Sequence, residues 1–286
     1  MIKSSFMRKG SLLLLAGVLA LTAFTGCSGG KTDLPDVSDL EEFVVIAREE
    51  GSGTRSEFES LVDTTESAAD SLAQSTEEVI EQVSSDVNAI GYVAYSSAIE
   101  AEGISILTVG GIEATTQTIQ SGKYPLTRNY YLCYQDDLSD AATDFLRYIE
   151  SAGQAIVSEY CVALDDASTF LSDQSEGTVS ISGSSSMAPI LEALAADYAN
   201  YNSHVTIEVV TSDSATGLNE AILGEVDFGM SSRELESYEE ELLNKTSIGR
   251  DGISVIVNAE NPVENLTVGQ IKKIYNGVWN SWSEIS

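Results

Sequence analysis

The chain has 286 residues, with 14 Lys and Arg against 45 Asp and Glu, a formal net charge of -31. With 43% hydrophobic residues and four Pro it is too apolar for disorder and long enough for an α/β protein of about two lobes. Such acidity excludes nucleic acid and other polyanionic surfaces as partners, because counterion-release binding needs clustered Lys and Arg.

The first 26 residues read as a targeting segment. Lys3, Arg8 and Lys9 form a basic region, Leu12 to Leu21 an apolar stretch too short for a comfortable membrane span, and FTGC follows at 24–27. The pattern resembles a bacterial lipoprotein signal, which implies cleavage before Cys27, a lipid such as palmitate on that Cys, and anchorage on the extracytoplasmic face of the cell membrane. Phe24 stands where that signal usually carries Leu. Residues 27–40 are polar, with Gly and Pro, and read as a tether.

The folded body opens with Phe43 to Ile46 as a buried strand and Ser56 to Leu61 as the first turns of a helix. Between them lies AREEGSGTRSEF, residues 47–58. Gly51 and Gly53 allow backbone N–H groups to turn inward, Ser52 and Thr54 add hydroxyls, and the helix N-terminus adds partial positive charge, a combination that suits an oxyanion. The same residues also make an ordinary strand-to-helix turn. Arg48 is placed to add a bidentate, charge-assisted contact with Glu50 orienting it, or the two form a solvated surface pair. An anion here meets a repulsive global field, but salt screens distant acids beyond about 8 Å, so fixed dipoles in a cleft dominate locally.

A helix over 57–62 is followed by a polar stretch up to Val83, strands near 91–95 and 104–112, and a long aromatic strand ending TRNYYLCY at 134. Residues 139–160 carry Ala142, Phe145, Leu146, Ile149, Ile156 and Val157 on one helical face, broken near Gly153. The polar stretch 165–177 is the clearest internal linker. Beyond it strands alternate with helices, which predicts parallel units with crossover helices. Three strand ends there present hydroxyls: Ser184 to Ser186, Ser212 to Thr216, and Ser231 with Ser232. Ligands of open α/β sheets bind beyond the carboxyl ends of strands, and an anion stripped of water wants about two or three hydrogen bonds per oxygen, more than one helix end supplies.

Cys133 and Cys161 lie on apolar segments and are expected to be buried and free, and His204 to sit in a surface turn. One His supports neither a His-rich metal site nor a Ser-His-Asp triad, so no metal, cofactor or catalytic residue is expected. Thr267 and Gln270 have capping-box spacing before a helix, and Trp279 and Trp282 read as buried anchors.

The segments AREEGSGTRSEF, SGSSSMAPILEALAADY, TSDSATGLNEAILGEVDFGMSSREL and RDGISVIVNAENPVENLTVGQIKKIYNGVWNSWSEI together resemble the phosphate-binding protein of the Pst-type phosphate ABC transporter. GYVAY, SGKYPLTRNYY and the helix around FLRYIESAGQAIV extend the resemblance over nearly everything from residue 41. It implies an α/β, two-lobed periplasmic-binding-protein type II (Venus flytrap) fold. In that family the GSSS-type segment opens the chain and GSGTR comes later; here the order is reversed, as in a circular permutant joined through 165–177 or in a gene fragment that fuses a half from one copy to a half from another. One lobe is then expected from 127–248 and the other from 41–126 plus 249–286.

By the same resemblance phosphate is expected against Ser185, Ser186, Ser214 and Ser232 on one side and Arg48, Ser52, Gly53 and Thr54 on the other. The implied function is a lipid-anchored, monomeric receptor that delivers inorganic phosphate to ABC permease subunits, and not an enzyme. Better-known members carry Asp at the position of Ser232, where a carboxylate accepts the ligand's proton; a hydroxyl also donates, which weakens discrimination against sulfate. A phosphate sensor or scaffold without transport, or a receptor for another tetrahedral oxyanion, is the alternative. A phosphatase would need a base beside its serine nucleophile, and no His or Lys stands beside these serines.

Overall fold

The computed structural model describes residues 35–64 and 68–285. The targeting segment and Cys27 lie outside them. Residues 35–64 and 68–285 fall in one compact unit, Pro35–Ser286. Within the span read as a tether, the described part folds onto this body: Val37 and Leu40 pack on its core, and Leu40 N–H donates to the Val37 carbonyl at 3.1 Å.

The chain begins β1 (Val44–Arg48), α1 (Gly53–Val62), β2 (Ser71–Ala73), α2 (Thr76–Ser85), β3 (Ala89–Ala94) and α3 (Tyr95–Glu100). The helix α2 lies in the stretch read only as polar. Its acids conceal a narrow stripe, buried Val79 and Val83 with half-buried Ile80, and Ser75 caps it by accepting from Glu78 N–H. Short strands β4 (Ile104–Ile106) and β5 (Thr108–Val109) and the helix α4 (Thr116–Gln120) lead to β6 (Thr127–Tyr134). The 139–160 helix is broken where Gly153 falls, into α5 (Asp140–Ile149) and α6 (Gln154–Tyr160). A Cβ at Gly153 would lie 2.9 Å from the Ile149 backbone, so only Gly lets the two helices meet so closely.

The second half runs β7 (Gly177–Ser184), α7 (Ala188–Tyr198), β8 (Val205–Ser212), α8 (Ser214–Leu223), β9 (Phe228–Ser231) and α9 (Ser237–Glu240). The strand β10 (Asn244–Asn258), β11 (Asn265–Leu266) and α10 (Val268–Tyr275) follow. The strand β7 pairs in parallel with both β8 and β9, and β1 with both β2 and β3, as alternating strands and helices predict. The sheet as a whole is mixed, in the order β2-β1-β3-β10-β6-β9-β7-β8, because β10 is antiparallel to β3 and β6. A capping box at Thr267 and Gln270 starts α10.

Two large groups of buried side chains flank this sheet. One joins Phe43, Phe58, Tyr92, Leu126, Ile253, Ile274 and Trp282; the other joins Tyr130, Phe145, Tyr148, Ile181, Leu191, Tyr198, Phe228 and Ile248. Strand β10 serves both, through Ile248 on one side and Ile253 on the other. Trp282 is fully buried and donates to the Asn88 carbonyl at 3.0 Å, while Lys273 lies over Trp279 at 4.2 Å. Cys133 and Cys161 are buried and unpaired, with burial pushing the Cys133 thiol up to about 12.

The stretch 165–176 has no regular structure yet is fastened down. Phe170 packs on Tyr148 and Tyr201 at 5.6 and 5.7 Å. Ser172 Oγ and Asp173 N–H donate to Asp144 at 2.6 and 3.1 Å, as does Tyr198 at 2.6 Å. At its other side the body closes on itself: Phe43 N–H donates to the Asn280 carbonyl at 2.9 Å and Trp282 N–H to the Glu41 carbonyl at 3.2 Å.

Candidate functional site

Three helices of ten or eleven residues, α1, α7 and α8, start at strand ends whose polar side chains meet one another. Arg48, Ser52, Gly53, Thr54, Ser185, Ser186, Ser214 and Ser232 are all buried; Thr54, Ser186, Ser232 and Ser214 are linked through Ser184, Gly53 lies against Ser214 and Ser232, and Arg48 meets Ser185. Ser52 takes part as the cap of α1, its Oγ accepting from Arg55 N–H at 3.3 Å. The helix begins earlier than its apolar residues indicate, so Gly53 and Thr54 form its first turn. Asp213 caps α8 by accepting from Thr216 N–H at 2.9 Å, which leaves Ser214 at the first helical position. The α7 start has no side-chain cap, and Pro189 pre-sets its backbone there.

The two glycines of the opening loop have separate reasons. Gly51 has φ +90, a conformation that side chains rarely adopt, and its carbonyl accepts from Ala215 N–H at 3.2 Å. Gly53 permits close approach: a Cβ there would lie 2.2 Å from Ser214 Oγ and 2.7 Å from Ser232 Oγ.

Arg48 ends β1, and its guanidinium is held by Glu49 rather than Glu50, contrary to the sequence expectation. Nε and Nη2 each donate to a Glu49 oxygen at 2.7 Å. Glu49, just past the end of β1, is still tied to β2 by its N–H donating to the Ala73 carbonyl at 3.0 Å and is buried, whereas Glu50 has entered the turn and is exposed. The remaining Arg48 protons reach Ser185 Oγ at 3.1 Å and Thr76 Oγ1 at 3.3 Å.

A guanidinium or backbone N–H can only donate, and each such contact fixes the direction of the hydroxyl it meets. Ser185 accepts from Arg48, Ser52 from Arg55 N–H, Ser214 from Ser232 N–H at 3.2 Å, and Thr54 from Arg128 at 2.7 Å. Each of these four hydroxyls is left with its own proton to give. Ser232 has no such fixed donor: its Oγ accepts from Ser184 at 2.9 Å and lies 3.4 Å from Ser214 Oγ. Ser184 is in turn 2.9 Å from Ser186, and Thr54 donates to Ser186 at 3.4 Å. The four hydroxyls thus keep their own protons, Thr54 giving its proton to Ser186, and Ser232 Oγ accepts from Ser184.

Sequence reasoning placed Ser184 at a hydroxyl-rich strand end without assigning it to the site, and missed Thr76 and the group Arg128, Tyr130 and Asp251. Thr76 hides in the unrecognised α2. The signal for Arg128 was a basic residue inside the aromatic strand TRNYYLCY of a chain with only 14 Lys and Arg. Ser231, by contrast, turns away, donating to the Arg233 carbonyl at 2.9 Å.

Donor-lined strand ends gathered from two halves of one sheet define a binding protein of the two-lobed α/β kind. The family described as "PBP superfamily domain" matches residues 38–152 and 168–285, so the chain belongs to that superfamily, among PstS-type relatives. Phosphate-binding protein PstS 2 of Streptococcus agalactiae serotype V is 36% identical over 292 residues, covering 96% of this chain and 97% of that protein. Phosphate-binding protein PstS 2 of Streptococcus pneumoniae serotype 4 is 31% identical, covering 84% and 87%. Phosphate-binding protein PstS of Staphylococcus saprophyticus is 33% identical over 123 residues, 40% of this chain and 39% of that one. Among solved structures, a phosphate ABC transporter phosphate-binding protein from Streptococcus pneumoniae TIGR4 has a TM-score of 0.70 at 29% identity, covering 86% of this chain and 100% of its own.

Proposed function

We propose that the protein is a phosphate receptor: it binds inorganic phosphate at the donor cluster of Arg48, Ser52, Gly53, Thr54, Ser185, Ser186, Ser214 and Ser232 and delivers it to the permease of an ABC importer. It is a binding protein, as its PstS-type relatives are by name, and not an enzyme. The observation that carries the reading is the gathering of hydroxyls that accept from fixed donors, and so keep their own protons, around helix starts, which suits an acceptor-rich oxyanion.

The finer picture is a monomer anchored through a lipid on Cys27, extracytoplasmic, with lobes 41–126 plus 249–286 and 127–248 hinged across β6 and β10. Attachment through the N-terminal lipid rests on the signal-like segment before Cys27; among the described residues no helix is long and apolar enough to cross a membrane. The order of halves is read as permuted relative to other members and shared with the streptococcal relatives. Two observations favour this: the streptococcal match runs along 96% of the chain while the staphylococcal one stops at 40%, and residues 41–43 hydrogen-bond to 280–282. Adjacent new ends, with the old ones joined through a surface linker at 165–177, are what permutation leaves.

Calorimetric titration of residues 28–286 with phosphate, repeated with sulfate, tests the reading. One-to-one phosphate binding is expected; a folded sample that ignores phosphate overturns it. The sulfate arm reads Ser232, since an anion with no proton to give at neutral pH is rejected only if that hydroxyl acts as an acceptor.

A further inference from the structure

Arg128 lies outside the residues expected to form the site, yet its side chain is fully buried and touches two of the loops that do. Nη1 donates to Thr54 Oγ1 at 2.7 Å and lies 3.4 Å from the Ser232 carbonyl. Nη2 donates to Asp251 Oδ2 at 3.0 Å and to Tyr130 Oη at 3.1 Å, and Nε to Asp251 Oδ2 at 3.2 Å. Tyr130 Oη donates to the same Asp251 oxygen at 2.6 Å and lies 3.4 Å from the Ser186 carbonyl. One guanidinium and its neighbour thus reach a residue in each of three binding loops.

We propose that Arg128 is a positioning residue of the anion site, set by Asp251 and Tyr130 so that it commits the Thr54 hydroxyl to donate into the cluster. This rests on the phosphate-receptor reading. Arg128 is directly opposite Asp251 in the β6–β10 pairing, so the pair stands on the two strands that link the halves of the sheet. A cross-strand ion pair alone explains Nε and Nη2. The planar guanidinium then has to aim Nη1 away from Asp251, and the atoms placed to meet it there are Thr54 Oγ1 and the Ser232 carbonyl, which a cross-strand ion pair does not require. Burial weighs against the guanidinium's charge, but Tyr130 and Asp251 outweigh it and hold its pKa above the ordinary arginine value. Arg128 therefore cannot switch to accepting, and Thr54 Oγ1 must accept from it.

The test compares phosphate titrations and thermal unfolding of the wild type, Arg128→Lys, Thr54→Val, and the two combined. Lysine keeps an ion pair with Asp251 but not the planar fork that also reaches Thr54. The expected result is an affinity loss of about tenfold for Arg128→Lys, with the double variant losing less than the product of the single losses, because the two residues act through one hydrogen bond. If Arg128→Lys unfolds, Arg128→Met with Asp251→Asn replaces it, removing both charges together so that neither is stranded. A folded Arg128 variant that binds phosphate within about threefold of the wild type, or single losses that multiply, overturns the inference. A wild type that does not bind phosphate overturns the receptor reading instead.

Discussion

Arg48 and Arg128 are both buried arginines held by a carboxylate, and they are assembled in opposite ways. Arg48 is paired with the next residue along the chain, and each Glu49 oxygen takes one N–H, a closed fork that leaves the other N–H groups aimed at Ser185 and Thr76. Arg128 is paired across 123 residues, and a single Asp251 oxygen accepts from it twice and from Tyr130 once. The first pair is made by one strand end; the second exists only after β6 and β10 have paired. The difference teaches that a local pair equips a loop, whereas a long-range pair connects loops to the sheet.

Breaking the local pair should have the largest effect. Arg48→Met removes two donors from the cluster and strands Glu49, and the expected loss of phosphate binding is about 3 kcal/mol, more than a hundredfold, read by calorimetry. Next is Gly53→Ala. Its added methyl would sit 2.2 Å from Ser214 Oγ, so the loops cannot close as they do here, and affinity is expected to fall by about 2 kcal/mol while the unfolding temperature changes little.

A third buried charge, Asp144, sharpens the comparison because two hydroxyls and a backbone N–H, more than its one guanidinium contact, supply its bonds. Burial pushes the Asp144 carboxyl up, but Ser172, Tyr198, Asp173 N–H and Arg147 together outweigh it and hold it below its ordinary value. Asp144→Asn is expected to destabilise the fold by about 1.5 kcal/mol at neutral pH with phosphate affinity unchanged. Because the folded value is depressed, this contribution is present above the unfolded aspartate value of about 3.9 and is lost as pH falls through the folded one. Denaturation of the two proteins should therefore converge in acid. The smallest effect belongs to Glu50→Gln, expected within about 0.5 kcal/mol for both binding and stability, since Glu50 is exposed and Glu49 holds the arginine. A loss at Glu50 equal to that at Glu49 would undo the assignment of the local pair.

The same division explains what the sequence made legible. The strand-loop-helix units around Arg48 to Thr54, Ser184 to Ser186 and Ser212 to Thr216 are local, and glycine, hydroxyl and apolar periodicity marked all three. Choosing Glu50 over Glu49 was an error of one residue: Glu49, just past the end of β1, is still tied to β2 through its N–H and buried beside Arg48, whereas Glu50 lies in the turn. The fork at Arg128 was not legible, because its partner lies in β10, whose antiparallel place between β3 and β6 no local pattern specifies. The helix α2 failed for another reason: four of its ten residues are Glu and Gln, and its only buried apolar residues, Val79 and Val83, make a weak periodic signal.

Strand β10 has a further consequence for motion. Residues 253–257 are buried and bonded to β3, residues 244–252 are bonded to β6, and the register shifts between Ser247 and Gly249. Such a bulge bends a strand and raises its twist. A single ladder of amide protons therefore runs through both halves, and deuterium uptake along it distinguishes flexing at the bulge, where exchange stays local, from separation of the halves, where protection is lost along the whole ribbon.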